Sequence, residues 1–149
     1  MDRGSFAAAI EACSEMMYRV AWSILRNRTD VQDAALKAWE KRNSLREEQY
    51  FRTWITRILI NVCYDIQRKH RSHVPLEKVP EQIPASAPDP GLAAALNALP
   101  EKLRLPLVLC YSEGMTYEEA AEVLRIPAST VRGRLRRGKD ELRKELSAE

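Results

Sequence analysis

The stretch that decides the fold is Thr116 to Leu146, TYEEAAEVLRIPASTVRGRLRRGKDELRKEL. Thr116 and Glu119 have the spacing of a capping box, in which each side chain bonds to the backbone N–H of the other residue at the start of a helix. Pro127 disfavours helical geometry at Ile126, so the sequence predicts a turn there. A second helix follows, and its apolar residues recur at helical offsets in one stripe: Val131, Leu135, Leu142 and Leu146.

The two helices and their turn have the pattern of a helix-turn-helix, whose second helix fits the DNA major groove. Between positions 125 and 144 there are eight Lys and Arg against Asp140 and Glu141. Such a basic run is by itself typical of a solvated helix in a bundle. The capping box, the turn and the apolar stripe together favour DNA binding. The candidate contacts on this helix, which can bond to guanine edges or hold phosphates, are Arg132, Arg134, Arg136, Arg137 and Lys139.

The composition favours an all-α, cytoplasmic protein. The 149 residues are 45% hydrophobic, which is enough for one or two small cores. No apolar run has the length of a membrane span, and the first residues lack a signal-peptide pattern. Cys13, Cys63 and Cys110 are far apart, so we expect them to be small buried side chains. A zinc site, a disulfide framework or a cofactor is not expected.

A proline-rich segment divides the chain. Five of the eight prolines fall between positions 73 and 90, and that density is incompatible with a helix or a packed strand. We therefore predict two small helical domains, 1–72 and 93–149, joined by a linker over 73–92. In the second domain a helix is predicted to start with Pro100 at its first position. Along that helix, either Cys110 or Tyr111 is expected to face inward.

Three helices are predicted in the first domain, over 5–26, 31–41 and 50–71. The second is expected to be capped by Asp30 or Thr29. Leu36 and Trp39 are expected to face inward from it. The apolar stripe predicted for the first helix is Phe6, Ile10, Cys13, Met17, Val20 and Ile24.

The third helix has a second side that combines aromatic residues, cations and an asparagine. Between positions 52 and 71 there are five Lys and Arg against Asp65 alone. Aromatic rings with cations suit single-stranded nucleic acid, because bases stack on the rings while the charges neutralise the backbone. A core helix with a solvated end, on which Trp54 simply packs, has the same composition, and the residues alone favour that interpretation. The residues on this side are Tyr50, Trp54, Arg57, Asn61, Asp65 and Arg68.

Taken with the linker, these motifs resemble the extracytoplasmic-function type of bacterial RNA polymerase sigma factor. The segment ALPEKLRLPLVLCYSEGMTYEEAAEVLRIPASTVRGRLRRGKDEL, over 98–142, is similar to the helix-turn-helix domain of that family without gaps. FRTWITRILINVCYDIQRKHR, over 51–71, resembles its promoter-melting helix. VQDAALKAW, over 31–39, resembles the helix with which such factors bind the polymerase clamp.

The resemblance implies a role for particular residues. Gln32 and Asp33 are implied to bind core RNA polymerase, and segment 42–49 to hold a flipped base. The implied contacts to the −35 element are Arg132, Arg136 and Arg137, with Ser129, Thr130 and Arg134 on nearby phosphates and Lys139 on the same surface. The implied contacts to the −10 element are Tyr50, Trp54, Arg57, Asn61, Arg68 and Arg71.

The function that the resemblance implies is promoter-specific initiation by a subunit that binds core RNA polymerase and promoter DNA. An anti-sigma factor is a further implied partner. The family has an extra acidic turn before V-Q-[DE], which is missing before Val31 here, so a late or weak polymerase-binding helix is predicted.

Two alternatives stay open. One is a stand-alone helix-turn-helix regulator, and the other is a polymerase-binding decoy that does not direct initiation. An enzyme is the weakest hypothesis, because His70 and His73, predicted to be solvent-exposed, have no nucleophile, metal-ligand cluster or phosphate loop near them in sequence.

Overall fold

The structure, a computed structural model, describes residues 3–41, 50–72 and 90–147. The chain divides into two units, Met1–Val79 and Pro80–Glu149. All the regular secondary structure of the described residues is helical, which confirms the predicted all-α class. The predicted base-binding segment 42–49, most of the predicted linker and His73 lie outside the described residues.

Three helices that pack against one another make up the first unit: α1 (Arg3–Leu25), α2 (Arg28–Glu40) and α3 (Phe51–Ser72). The stripe predicted for α1 is confirmed at Met17, Val20 and Ile24, which are buried, whereas Cys13 is half-buried. The side chains of Phe6 and Ile10 are outside the described set. From α3, the largest fully buried apolar side chains are Ile55, Leu59 and Ile60.

The start of α2 differs from the prediction. Asn27, in extended conformation, is the N-cap, and its side-chain oxygen accepts from the Asp30 N–H at 3.1 Å. The predicted cap at Asp30 or Thr29 was therefore wrong, because Asn27 offers the same oxygen one turn earlier. The helix begins at Arg28 rather than at the predicted Val31.

The inward face of α2 also differs. Leu36 was predicted to face inward, but it is 58% exposed. Val31, Ala34 and Ala38 are buried instead. These three follow offsets of three and four, whereas Leu36 lies on the opposite face of the helix. The small alanines let α2 approach its neighbours closely, and they leave a large apolar side chain on the surface.

Two polar contacts fix the C-terminal half of α3. Gln67 donates from Nε2 to the Ile24 carbonyl at 3.1 Å, which satisfies a carbonyl that the end of α1 leaves without a helical partner. His70 Nε2 lies 2.9 Å from the Asp30 carboxylate. His70 was predicted to be merely solvent-exposed, and that was incomplete, because its side chain pairs with the first turn of α2.

The second unit contains α4 (Pro90–Ala98), α5 (Glu101–Leu107), a π-helix (Val108–Ser112), α6 (Tyr117–Leu124) and α7 (Ala128–Ser147). The helix α4 begins at Pro90, inside the segment predicted to be the linker. A proline is well suited to the first position of a helix, where its missing N–H would have no helical partner. Pro100 is not helical, with φ −57° and ψ 145°, and it stands as the N-cap of α5.

The helix α5 carries a buried cation that the sequence did not indicate. Arg104 is 3% exposed, and its Nη1 donates to the Leu99 carbonyl at 2.6 Å. After Pro106 the chain continues as the π-helix, whose wider turn shifts the side chains that follow. Tyr111 is 54% exposed, and Cys110, the other candidate for the inward face, is half-buried.

Candidate nucleic-acid and polymerase interfaces

The helix-turn-helix has the predicted caps. Glu119 N–H donates to Thr116 Oγ1 at 3.1 Å, and Thr116 N–H donates to Glu119 Oε1 at 3.0 Å, so both bonds of the capping box are present. Arg125 ends α6 in the left-handed conformation, with φ 58°. Pro127 then precedes α7, and its carbonyl accepts from the N–H groups of Thr130 and Val131. The turn therefore fixes where the second helix starts.

One side of α7 is buried against the rest of its unit. Val131 and Leu135 are buried, as the stripe predicted, but Leu146 is 45% exposed. Gly138 is also buried, and a Cβ added there would lie 2.8 Å from Leu107 Cδ1. The glycine therefore permits close contact between α5 and α7. Its spacing of three residues from Leu135 was the signal that could have placed it on the buried side.

The opposite side of α7 presents its cations to solvent. Exposed on α7 are Ser129, Arg132, Arg136, Arg137 and Lys139, whereas Thr130 and Arg134 are half-buried. Two shallow pockets flank this exposed ridge. One, of about 280 Å³, is lined by Lys102, Ser129, Thr130, Gly133, Arg134 and Arg137. The other, of about 330 Å³, is lined by Tyr117, Arg132, Leu135, Arg136, Lys139, Asp140 and Arg143. All seven predicted −35 residues therefore lie on or beside one surface.

Two tyrosines support cations at the edge of this surface. The guanidinium carbon of Arg132 lies 5.8 Å from the centre of the Tyr117 ring, and Lys139 Nζ lies 4.8 Å from the centre of the Tyr111 ring. A side-chain hydrogen bond with Tyr111 is the main cause that raises the pKa of Lys139. Cation–π contacts of this kind hold long side chains in place. Sequence reasoning gave neither tyrosine a role at this surface.

The candidate −10 surface runs along α3. Tyr50, just before the helix, is 59% exposed, while Trp54, Arg57 and Asn61 are half-buried. Trp54 packs beside Phe51, with ring centres 5.8 Å apart and planes tilted by 42°. Trp54 therefore packs, as the alternative interpretation predicted, but it is only half-buried.

Further along this surface, Arg68 is exposed and pairs with Asp65, one turn before it on α3. The side chain of Arg71, the last predicted contact, lies outside the described set. The aromatic residues therefore come first along the surface and the exposed cation follows.

The predicted polymerase-binding residues, Gln32 and Asp33, are both exposed on α2. Leu36, one turn further along the helix, is also exposed. The three side chains therefore share one face, which combines an amide, a carboxylate and an apolar group. Sequence reasoning missed Leu36 because it assigned this leucine to the core.

Neither a metal-binding cluster nor a membrane-spanning helix is found in the part of the chain that the structure describes. No group of three or more His, Cys, Asp or Glu residues there has the arrangement to hold a metal ion. None of the helices in that part has both the length and the apolar character to span a bilayer. Cys13, Cys63 and Cys110 are free thiols, and burial raises the pKa of Cys13 and of Cys110.

One unit of the chain is a helix-turn-helix with a basic second helix, and the other is a three-helix unit with an aromatic and cationic face. This combination is typical of an all-α nucleic-acid-binding protein. Two family models then specify the class. Sigma-70 region 2 matches residues 9–73, and sigma-70 region 4 matches residues 91–142. The chain belongs to the sigma-70 family of RNA polymerase sigma factors, and within it to the extracytoplasmic-function (ECF) type.

Relatives across bacteria agree with this assignment. The chain is 32% identical to the ECF sigma factor SigE of Mycolicibacterium smegmatis, over 90% of this chain and 58% of that protein. It is 27% identical to the ECF sigma factor SigW of Bacillus subtilis, over 97% of this chain and 90% of that protein. The chain thus spans little more than half of the first relative and most of the second.

Two solved structures have the same fold. One is the sigma factor RpoE from Bartonella quintana, crystallised with the anti-sigma factor NepR. It has a TM-score of 0.80 and 24% identity, with 95% of this chain and 96% of that chain covered. The other is CnrH in complex with the cytosolic domain of CnrY, with a TM-score of 0.69 and 25% identity, and coverage of 99% and 91%.

Proposed function

We propose that the chain binds core RNA polymerase in the cytoplasm and directs promoter-specific transcription initiation, by binding and not by catalysis. The observation that carries the proposal is that one chain contains both a region 2 and a region 4 domain. Each domain has an exposed surface with the chemistry that its part of the task requires. A stand-alone regulator would need the second domain alone.

Region 4 binds the −35 element through α7. Arg132, Arg136 and Arg137 bond to base edges or hold the backbone, and Ser129, Thr130, Arg134 and Lys139 contact phosphates. A bidentate arginine–guanine pair discriminates against a wrong base by about 1–3 kcal/mol. Replacing Arg136 and Arg137 with alanine should therefore abolish promoter-specific transcripts and leave polymerase association nearly unchanged. Loss of both activities together would contradict the modular assignment.

Region 2 opens the −10 element on the surface of α3. Unstacking a base costs a few kcal/mol, and stacking it on an aromatic ring returns about 1–3 kcal/mol. Tyr50 and Trp54 provide the rings, near Asn61, and Arg57, Arg68 and Arg71 provide the charge. Because Tyr50 is exposed, Tyr50→Ala removes a platform without disturbing the core.

The experiment for this surface compares two promoter templates, one fully paired and one with a mismatched bubble over the −10 element. Tyr50→Ala should reduce transcription from the paired template and be largely rescued by the bubble, since the bubble has no base pairs left to open. An equal loss on both templates would assign Tyr50 to a step other than strand separation.

Polymerase binding uses the exposed face of α2 that Gln32, Asp33 and Leu36 share. The combined change of Gln32→Ala and Asp33→Ala should weaken association with core polymerase, while binding of the chain to promoter DNA stays intact. The matched control is the Arg136→Ala and Arg137→Ala protein, for which the reverse is expected. An unchanged pull-down of core polymerase would refute this assignment.

An anti-sigma factor is the proposed regulatory partner. Two structural relatives, RpoE and CnrH, were solved with NepR and with CnrY. A cognate inhibitor should compete with core polymerase for this chain in a binding assay. An inhibitor that binds simultaneously with polymerase, and leaves transcription unaffected, would contradict that role.

A further inference from the structure

The 280 Å³ pocket beside α7 concentrates positive charge from two helices. Lys102 comes from α5, and the remaining lining residues come from the first half of α7. Three of the six lining residues are cations, two carry hydroxyls, and no carboxylate is among them. The pocket on the other side of the ridge differs, because Asp140 lines it and pairs with Arg143 at 3.6 Å. Of the two pockets, only the first is lined by cations and hydroxyls without a carboxylate.

One of the residues that line this pocket, Arg134, has an unsatisfied donor. The Nε atom of Arg134 is buried and has no hydrogen-bond partner in the structure. A buried donor left in this state costs free energy of about 1–3 kcal/mol, more for a charged group, so an acceptor at this position is favoured. Arg137 and Lys102 are both exposed, which leaves their charged ends able to turn toward the same acceptor.

The packing of α5 on α7 holds the backbone beside Lys102 close to α7. The neighbouring residue, Leu103, has its carbonyl oxygen 3.4 Å from the position of a Cβ on Gly138. Lys102 is thus attached to backbone that is in contact with α7. On the pocket side, a Cβ added to Gly133 would meet nothing within 4 Å, so the space above that glycine is open to an incoming group.

We propose that this pocket binds one phosphate group of the promoter backbone and that Lys102, which lies outside the helix-turn-helix, is a DNA-contacting residue. The inference rests on the proposed function of α7 and extends its surface to α5. Arginine forks and a lysine point charge are both suited to phosphate oxygens. Inorganic phosphate has the same chemistry, so the test must separate the two sources.

The first arm uses the holoenzyme, formed from the full chain and core polymerase, on one promoter. Lys102→Ala is compared with Lys144→Ala, which removes the same charge from the end of α7, where Lys144 pairs with Glu141 at 3.3 Å. Each phosphate contact contributes about 0.9 to the slope of log affinity against log salt concentration. We expect that slope to fall by about 0.9 for Lys102→Ala and to stay unchanged for Lys144→Ala.

Uncharged methylphosphonates, introduced one position at a time, then locate the contact. At one position of the promoter, the methylphosphonate should weaken the wild-type complex and should not weaken the Lys102→Ala complex any further. The Lys144→Ala complex should be weakened at that position as much as the wild-type complex is. If every position affects the Lys102→Ala and wild-type complexes equally, the proposal is overturned. A wild-type chain that forms no promoter complex with polymerase would instead refute the proposed function itself.

The second arm measures the melting temperature of the free full chain in potassium phosphate and in potassium chloride of equal ionic strength. We expect no saturable stabilisation by phosphate. Saturable stabilisation that Lys102→Ala removes, without coupling at any methylphosphonate position, would show a site for free phosphate and overturn the assignment to DNA.

Discussion

Two glycines of α7 lie five residues apart in the same helix, and their replacement by alanine is expected to have different consequences for stability. Both lie inside the helix, where glycine is less favourable than alanine by about 1 kcal/mol. Each replacement by alanine therefore favours the helix by the same free energy. They differ in their surroundings. A Cβ at Gly133 meets nothing within 4 Å, whereas a Cβ at Gly138 comes within 2.8 Å of Leu107 Cδ1.

The difference between the two variants isolates the cost of the overlap. Leu107 is buried, so its methyl group cannot retreat without moving its neighbours. Overpacking of this kind costs about 1–3 kcal/mol. Gly133→Ala should therefore raise the free energy of unfolding of the second unit by about 1 kcal/mol. The free energy of unfolding of Gly138→Ala should be about 1–3 kcal/mol lower than that of Gly133→Ala.

The assay can assign the change to one unit of the full chain. All three tryptophans, at 22, 39 and 54, belong to the first unit, so their fluorescence follows that unit alone during urea denaturation. Far-ultraviolet circular dichroism follows the helices of both units. The difference in stability between the two variants should appear in the circular dichroism transition, and the tryptophan transition should stay in place in both. Equal stability of the two variants would refute the close contact between α5 and α7.

Four further changes test other contacts. Arg104→Met should destabilise the second unit by about 1–3 kcal/mol, measured by circular dichroism, because it removes the buried donor to the Leu99 carbonyl; an unchanged midpoint would contradict that role. Thr116→Ala should cost about 0.5–2 kcal/mol in the same assay through loss of the capping box, and Thr116→Ser should restore most of it. Gln67→Ala should shift the tryptophan transition to lower urea, since it leaves a helix-end carbonyl unpaired; a shift seen only in circular dichroism would be inconsistent with this. Leu36→Ala should leave both transitions unchanged and weaken the complex with core polymerase, and normal polymerase affinity would remove this side chain from the interface.

The helix-turn-helix was predictable from sequence because its signals are local. The capping box depends on Thr116 and Glu119, three residues apart, and the turn depends on Pro127. Neither requires knowledge of any other part of the chain. The buried stripe was predictable near Val131 and Leu135 for the same reason, since residues at helical offsets share a face.

The features that sequence reasoning missed depend on contacts between distant residues. Burial of Arg104 depends on the fold of α5 around the Leu99 carbonyl, and the role of His70 depends on the approach of α3 to Asp30. Leu36 was assigned to the core because leucine is usually buried, whereas the spacing of the alanines decided which face of α2 turns inward. The π-helix after Pro106 changed the register, so Tyr111 could not be placed from a regular helical period.

The most direct test of the proposed function is run-off transcription with the purified chain, core RNA polymerase and a library of randomised promoters. A chain that directs initiation should give transcripts that require it and that come from templates with two shared sequence elements, one for each domain. Absence of such transcripts, with no affinity of the chain for core polymerase at modest ionic strength, would contradict this function even if α7 still binds DNA.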